Sequence, residues 1–224
     1  MQQQKNHRAV ISVTRRTGLS AIAAAWLAAT VGLHAPTADA ALPNDPATAS
    51  SFVQQAGSEL ATIMSGNASN EDKLQRLRLF IDRVANVDAV ARFCLGRFWP
   101  QATPLQQHEF TGLFHDVLIN SISGQSHEYE HGTTKVSVAQ AEPRTDGMHV
   151  ATTVTIEGEA PFRVIWVVSY DTGSPKIIDV IAEGISMRVT QRSDYVSFLS
   201  RNRGDIDALL KAVRQQLKVV SAPP

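Results

Sequence analysis

The spacing of apolar residues changes twice along this 224-residue chain, and that double change constrains the fold more than any other feature. Phe52, Ala56, Leu60, Ile63 and Met64 recur at helical intervals, as do Leu74, Leu77, Phe80, Ile81 and Val84. From Lys135 the period drops to two. Val150, Val154 and Ile156 share one face; Phe162, Val164, Trp166 and Val168 share another, with Arg163, Ile165 and Val167 opposite. Beyond Gly184 helical spacing returns in Tyr195, Phe198 and Leu199, then in Ile206, Leu209, Leu210, Val213 and Leu217. Helices, then strands joined by short turns, then helices imply an α+β fold with an antiparallel sheet. The segments Lys135–Ala139, His149–Ile156, Phe162–Tyr170 and Lys176–Glu183 predict a four-stranded sheet, curved and packed against several helices.

Local signals place the boundaries. Ser69 with Asp72 three residues on forms an acidic variant of the capping box. Thr103-Pro104-Leu105-Gln106 combines a Thr cap, Pro in the first helical position and Gln in the third. Gly66-Asn67, Gly96 and Gly124 close helices, and Asp205 after Gly204 opens the last one. Pro143 to Gly147 and Asp171-Thr172-Gly173-Ser174-Pro175 read as turns.

The N-terminus reads as an address. Lys5, Arg8, Arg15 and Arg16 precede an alanine-rich apolar segment from Leu19 to Leu33, and Ala38-Asp39-Ala40 supplies a cleavage site. Residues 1–40 are therefore expected to be a secretory signal peptide, with Ala41 as the mature N-terminus. Thr14-Arg15-Arg16-Thr17-Gly18-Leu19 also fits a twin-arginine signal, and a general secretory signal with an incidental Arg pair fits equally. Residues 41–47, with two prolines, read as a linker to a domain spanning 48–218, and 219–224 as a tail. Removing residues 1–40 takes four cations and Asp39 from a chain with 21 Lys plus Arg and 21 Asp plus Glu, leaving a net charge of −3. That balance argues against a polyanion-binding surface. Cys94 is alone, has no intramolecular partner, and reads as a small buried hydrophobe.

One stretch satisfies a catalytic motif. His127-Glu128-Tyr129-Glu130-His131 matches H-E-x-x-H, in which a helix aligns two zinc ligands. Gly124 and Gly132 leave room for one frayed turn, and the residues that follow alternate as strands, so no third ligand is placed. His127, Glu128 and His131 are accordingly read as fortuitous, with no metal and no catalytic residue assigned. Asp179, among β-branched neighbours, could serve as a buried general base, but it reads better as half of a structural ion pair. No Ser/His/Asp order and no Gly-rich phosphate loop stands at a readable spacing, and no cofactor is called for.

Two stretches carry a family resemblance. Ile177 to Met187 (IIDVIAEGISM), followed by RVTQRSDYVSFLSRNRGDIDALLKAVRQQL, resembles the end of the MlaC family, also called toluene-tolerance proteins. ARFCLGRFWPQATPLQQHEFTGLF, residues 91–114, is a second match in the expected order. The resemblance implies an NTF2-like sheet plus a helical part, with a lipid cavity between them. It further implies a periplasmic phospholipid carrier serving an MCE-type ABC transport system, which maintains outer-membrane lipid asymmetry. Its partners would be an outer-membrane lipoprotein complex and the inner-membrane MCE/ABC transporter. A hopanoid-transport paralogue of the same family is the runner-up, and a secreted zinc hydrolase built on HEYEH is the alternative of another class.

The physics of such a cargo sets what the cavity needs. About thirty methylenes at ~0.8 kcal/mol each leave a diacyl lipid ~24 kcal/mol short of stability in water, so a carrier must cover the tails almost completely. Val150, Val154, Val164, Trp166 and Val168 are candidates for one wall, and Leu113, Phe114, Val117 and Leu118 for the other. Each of these nine also suits ordinary core.

Overall fold

Each helix begins where a short polar side chain occupies the first free backbone N–H groups. The computed structural model describes residues 45–65, 68–124, 134–156 and 160–220. Helix α1 (Pro46–Ser65) starts with Pro in its first position, and the Asp45 carboxylate accepts from the Thr48 N–H at 3.0 Å. Ser69 accepts from the Asp72 N–H at 3.1 Å to open α2 (Asn70–Val84). Asn86, which sequence reading did not single out, does the same at 3.0 Å for Ala89 at the start of α3 (Val87–Leu95). A 3-10 turn over Gly96–Gln101 then leads to α4 (Pro104–Ser123). There the capping box is reciprocal: Thr103 Oγ1 accepts from the Gln106 N–H at 3.2 Å, and the Gln106 amide oxygen accepts from the Thr103 N–H at 2.9 Å. Ser186 and Asp205 cap α5 (Met187–Arg201) and α6 (Ile206–Val220) by accepting from the N–H groups of Val189 and Ala208.

The fold is α+β, but the antiparallel sheet has six strands rather than four. Four correspond to the predicted segments: β1 (Thr134–Val138), β3 (Gly147–Ile156), β4 (Phe162–Ser169) and β5 (Lys176–Ala182). The additions are β2 (Glu142–Arg144), paired to β3, and β6 (Ile185–Ser186), paired to β5. Segments of three and two residues show no alternation; β2 overlaps what reads as a turn, and β6 falls where helical spacing is expected to resume. In β2–β3 the turn proper is only Thr145-Asp146, because Arg144 pairs with Gly147. Gly147 is needed there: its φ is +141°, and a Cβ would lie 2.6 Å from the Val168 carbonyl oxygen. In β5–β6, Glu183 and Gly184 turn the chain with φ of +50° and +82°, as a two-residue hairpin loop of the primed type requires. The sheet runs β1-β3-β4-β5-β6, with β2 off this path, and the β4–β5 register shifts between Val167 and Val168.

Two buried clusters result. One lies between the inner face of the sheet and α1 and α2, with Ile119 from the C-terminal half of α4. The other is helical, formed by α3, the 3-10 turn, α4, α5 and α6. Helix α1 is fastened to the β1–β2 connection through Ser50, whose hydroxyl accepts from the Ala141 N–H at 2.8 Å and donates to the Ala139 carbonyl at 3.1 Å. Lys176 Nζ donates to the carbonyls of Asp82 and Arg83 at 3.0 and 2.6 Å, closing the C-terminal end of α2 against the start of β5. Among the described residues, no helix is long and apolar enough to cross a membrane.

Candidate functional site: the apolar face between sheet and helices

The five strand residues proposed as a wall come together as one surface. Val150 pairs with Trp166 across β3 and β4, Val154 with Phe162, and Met148 with Val168, so all of them face the same way. Val150, Val154, Val164 and Val168 are fully buried and Trp166 nearly so. One buried polar relay crosses this face. Trp166 Nε1 donates to Thr152 Oγ1 at 3.1 Å, and Thr152 Oγ1 donates to the Val164 carbonyl at 3.2 Å. Thr152 is therefore satisfied, and the surface stays aliphatic without an unpaired charge.

The opposing wall is not the one expected. Of the four α4 candidates, Leu118 is half-buried and touches both clusters, whereas Leu113, Phe114 and Val117 belong to the helical cluster. The reason is helical geometry. Phe110, Phe114 and Val117 form a stripe that faces α5 and α6, and Leu118, Ile119 and Ile122 lie on the adjoining stripe toward the sheet. The sheet is instead opposed by α1 and α2, through Ala49, Val53, Leu60, Leu77, Phe80 and Ile81 among others. Part of this wall was visible in the sequence as the apolar spacing of α1 and α2. What the spacing does not say is which partner an amphipathic helix meets.

The remaining candidates for chemistry are accounted for by packing. Asp179 lies on the outer side of the sheet, paired with Val167, with its side chain only 2 % exposed. Its carboxylate accepts from Val180 N–H at 2.8 Å, Ser186 Oγ at 2.6 Å and Arg188 N–H at 3.0 Å, and Arg188 Nε stands 3.4 Å away. Asp179 thus holds the first turn of α5, and the ion pair runs to a helix rather than to a neighbouring strand. With its oxygens so occupied, it has little capacity to act as a base. Arg188 also reaches Asp146 at 3.2 Å, which in turn meets His149 Nε2 at 2.8 Å. Cys94 is free and fully buried, and burial pushes its thiol up to about 12, so it stays protonated and unreactive at neutral pH. The HEYEH stretch lies outside the described residues. Among those described, no group of three or more His, Cys, Asp or Glu side chains could hold a metal ion.

A shallow depression of about 230 Å³ opens at the α2–α3 junction, lined by Asp82, Asn86, Asp88, Thr172 and Lys176 among others. It is mixed in character, with Ala85 and Val87 in its lining, and below the range of about 300–1,000 Å³ usual for small-molecule sites. The extended apolar face between the sheet and α1–α2 is the better candidate.

The result is a helix-covered antiparallel sheet with an apolar inner face, its polar groups engaged in capping and pairing. The family comparison places it: the family model described as MlaC protein matches residues 54–215, and the chain belongs to that family. A solved structure has the same fold, the phospholipid-binding protein from Ralstonia solanacearum in complex with a phospholipid. The two share 22% identity and a TM-score of 0.65, over 78% of this chain and 99% of that one. At that identity the likeness speaks for the fold alone.

Proposed function

We propose that this protein is a periplasmic phospholipid carrier, with the acyl chains held between the inner face of the sheet and α1–α2. The observation that carries the reading is the apolar surface of Val150, Val154, Val164, Trp166 and Val168, opposed by two helices that present aliphatic and aromatic side chains of their own. Membership of the MlaC family and the shared fold of a phospholipid-binding protein support it. In the described residues these layers are in contact, so loading requires α1 and α2 to part from the sheet. Loading exchanges one apolar environment for another, so the ~24 kcal/mol of acyl-chain burial is what the closed carrier must preserve in transit. The same reading assigns the carrier to an Mla-type system. It would pass lipid between an outer-membrane lipoprotein complex and an inner-membrane MCE transporter, and so maintain outer-membrane asymmetry. The leader sequence is consistent with that compartment, and N-terminal sequencing of the exported protein should begin at Ala41.

The test is native mass spectrometry with lipid extraction, on wild type and on Val164→Glu. Wild type should carry a species of phospholipid mass. Val164 is fully buried, so a carboxylate there meets hydrocarbon at a cost of several kcal/mol. The variant should lose its lipid and retain its circular dichroism. An unfolded variant would place Val164 in indispensable core, and a folded variant with normal lipid would move the cargo elsewhere. A hopanoid in the wild-type protein would assign it to the paralogous branch. Stoichiometric zinc without lipid would overturn the carrier.

A further inference from the structure

The net charge of residues 41–224 conceals a segregation that the fold exposes. Helix α3 and its 3-10 turn pack along α5, with Arg97 donating to Ser200 Oγ at 2.8 Å across the seam. Residues 87–101 and 187–203 together contain Arg92, Arg97, Arg188, Arg192, Arg201 and Arg203, no lysine, and only Asp88 and Asp194 in opposition. These two segments carry +4. The rest of residues 41–224, with eleven cations and eighteen anions, carries −7.

Not all six charges are available. Arg188 is bound to Asp146 and Asp179, and Arg201 is felt by Asp194. Among the described residues, however, Arg92, Arg97, Arg192 and Arg203 have no carboxylate within 4.0 Å. Two of them are held in place by stacking. The Arg97 guanidinium sits 5.0 Å from the Phe98 ring centre, and that of Arg192 sits 4.8 Å from Phe93. Gly96, with φ of +56°, gives Arg192 room: a Cβ there would lie 3.1 Å from the guanidinium carbon. Planar guanidiniums fixed in this way keep free N–H edges suited to phosphate.

At the N-terminal end of this layer stand two of the few large apolar side chains left in solvent, Ile185 at 50 % and Val189 at 53 % exposure. Val189 is three residues before Arg192, on an adjoining strip of α5. Cations along a helical layer that ends in exposed aliphatic side chains suit a surface that lies on a lipid interface. A partner of pure carboxylate character would have no use for the apolar pair. We propose that the α3–α5 face docks the protein on a membrane surface rich in anionic phospholipid headgroups, oriented by the −7 on the remainder of the molecule. The proposal goes beyond the carrier reading, because this face belongs to the helical cluster and not to the sheet.

Co-sedimentation of the purified full chain with vesicles tests it. One set is phosphatidylglycerol mixed into phosphatidylcholine, the other phosphatidylcholine alone. Wild type should pellet with the anionic vesicles only and be released by added salt. The variant Arg92→Gln/Arg97→Gln/Arg203→Asn removes three exposed charges, and Asn tolerates the left-handed conformation of Arg203, whose φ is +57°. At roughly fivefold per arginine, its partitioning should fall about a hundredfold. Its melting temperature and co-purifying lipid should be unchanged. Equal pelleting of wild type with both vesicle types, or of the variant and wild type with anionic vesicles, would overturn the proposal. Retention of wild type on immobilised polyglutamate without vesicle binding would do so too, by assigning the face to an acidic protein. Wild type that carries no lipid yet pellets with anionic vesicles would sink the cargo reading and leave this one standing.

Discussion

The two buried clusters are built from different materials. The helical one is rich in aromatic contacts: Tyr195 stands edge-on to Phe110 and Phe114 at centroid distances of 5.4 and 6.5 Å, and the two Phe rings lie 6.1 Å apart. The sheet-side cluster is largely aliphatic. Valines on β3 and β4 meet a helix that presents Ala49, Ala56 and Ala61, and residues such as Phe52, Met148 and Val180 remain half-buried at its margin. Interlocked rings fix one arrangement, because any shift loses many contacts at once. Two aliphatic surfaces of small side chains part at lower cost. On the carrier reading proposed above, stability and cargo are housed apart: the helical cluster holds the scaffold, and the sheet-side cluster is where the carrier opens.

Variants in the two clusters should therefore behave in opposite ways. Phe110→Ala, in the fully buried centre of the helical cluster, should cost about 3–5 kcal/mol in denaturant unfolding, with lipid per folded molecule unchanged. Lipid loss in protein that remains folded would break the division. Asp179→Asn removes the charge that Arg188 faces where α5 meets the sheet, and should cost about 3 kcal/mol without emptying the cargo site. Unchanged stability there would mean that Asp146 alone suffices for Arg188.

Alkaline unfolding sharpens the comparison from another side. Cys94, in the helical cluster, is lifted by burial from 9.0 to about 12. A group whose folded value is raised contributes stability that is fully present below pH 9 and lost as pH climbs toward 12. Cys94→Ala should flatten the stability profile across that window, and an unaltered slope would assign it to other groups. Tyr195, also raised by burial, adds to the loss at still higher pH.

Two smaller effects should separate the clusters further. Trp166→Phe removes the Nε1 donor to Thr152, which keeps its own bond to the Val164 carbonyl, at a cost of about 1 kcal/mol. Because Trp166 is in the proposed wall, lipid mass or occupancy should change with it. The smallest effect is Tyr195→Phe. The Tyr195 hydroxyl is buried without a hydrogen-bond partner among the described residues, so its removal should leave stability within about 1 kcal/mol or raise it. A large loss would reveal a partner that this geometry does not contain.

Local chemistry is legible in the sequence itself. Ser69, Thr103 and Asp205 act as caps because a side-chain oxygen reaches its own next backbone N–H groups, a contact written within a few residues. The inward face of β4 was legible too, since side chains alternate along any strand. The burial of Cys94 followed from its apolar neighbours. The family was readable from residues 91–114 and 177–217, where long runs of specific residues stand in order. Strands β2 and β6 were not, because two or three residues carry no period; only their partners β3 and β5 define them.

The opposite wall and the charged face belong to tertiary structure alone. Helical spacing in α1, α2 and α4 announces that each has an apolar side, and says nothing of which surface that side will meet. Helix α4 carries adjoining stripes, so Phe114 and Val117 enter one cluster and Ile119 the other, a division set by where α1, α2, α5 and α6 stand around it. Net charge likewise sums over positions without regard to place. Residues 87–101 and 187–203 are about a hundred positions apart in the chain, and only the packing of α3 on α5 brings their arginine-rich segments together. Sequence fixes what lies within reach of a few peptide bonds; contacts between distant segments depend on packing geometry that no local pattern encodes.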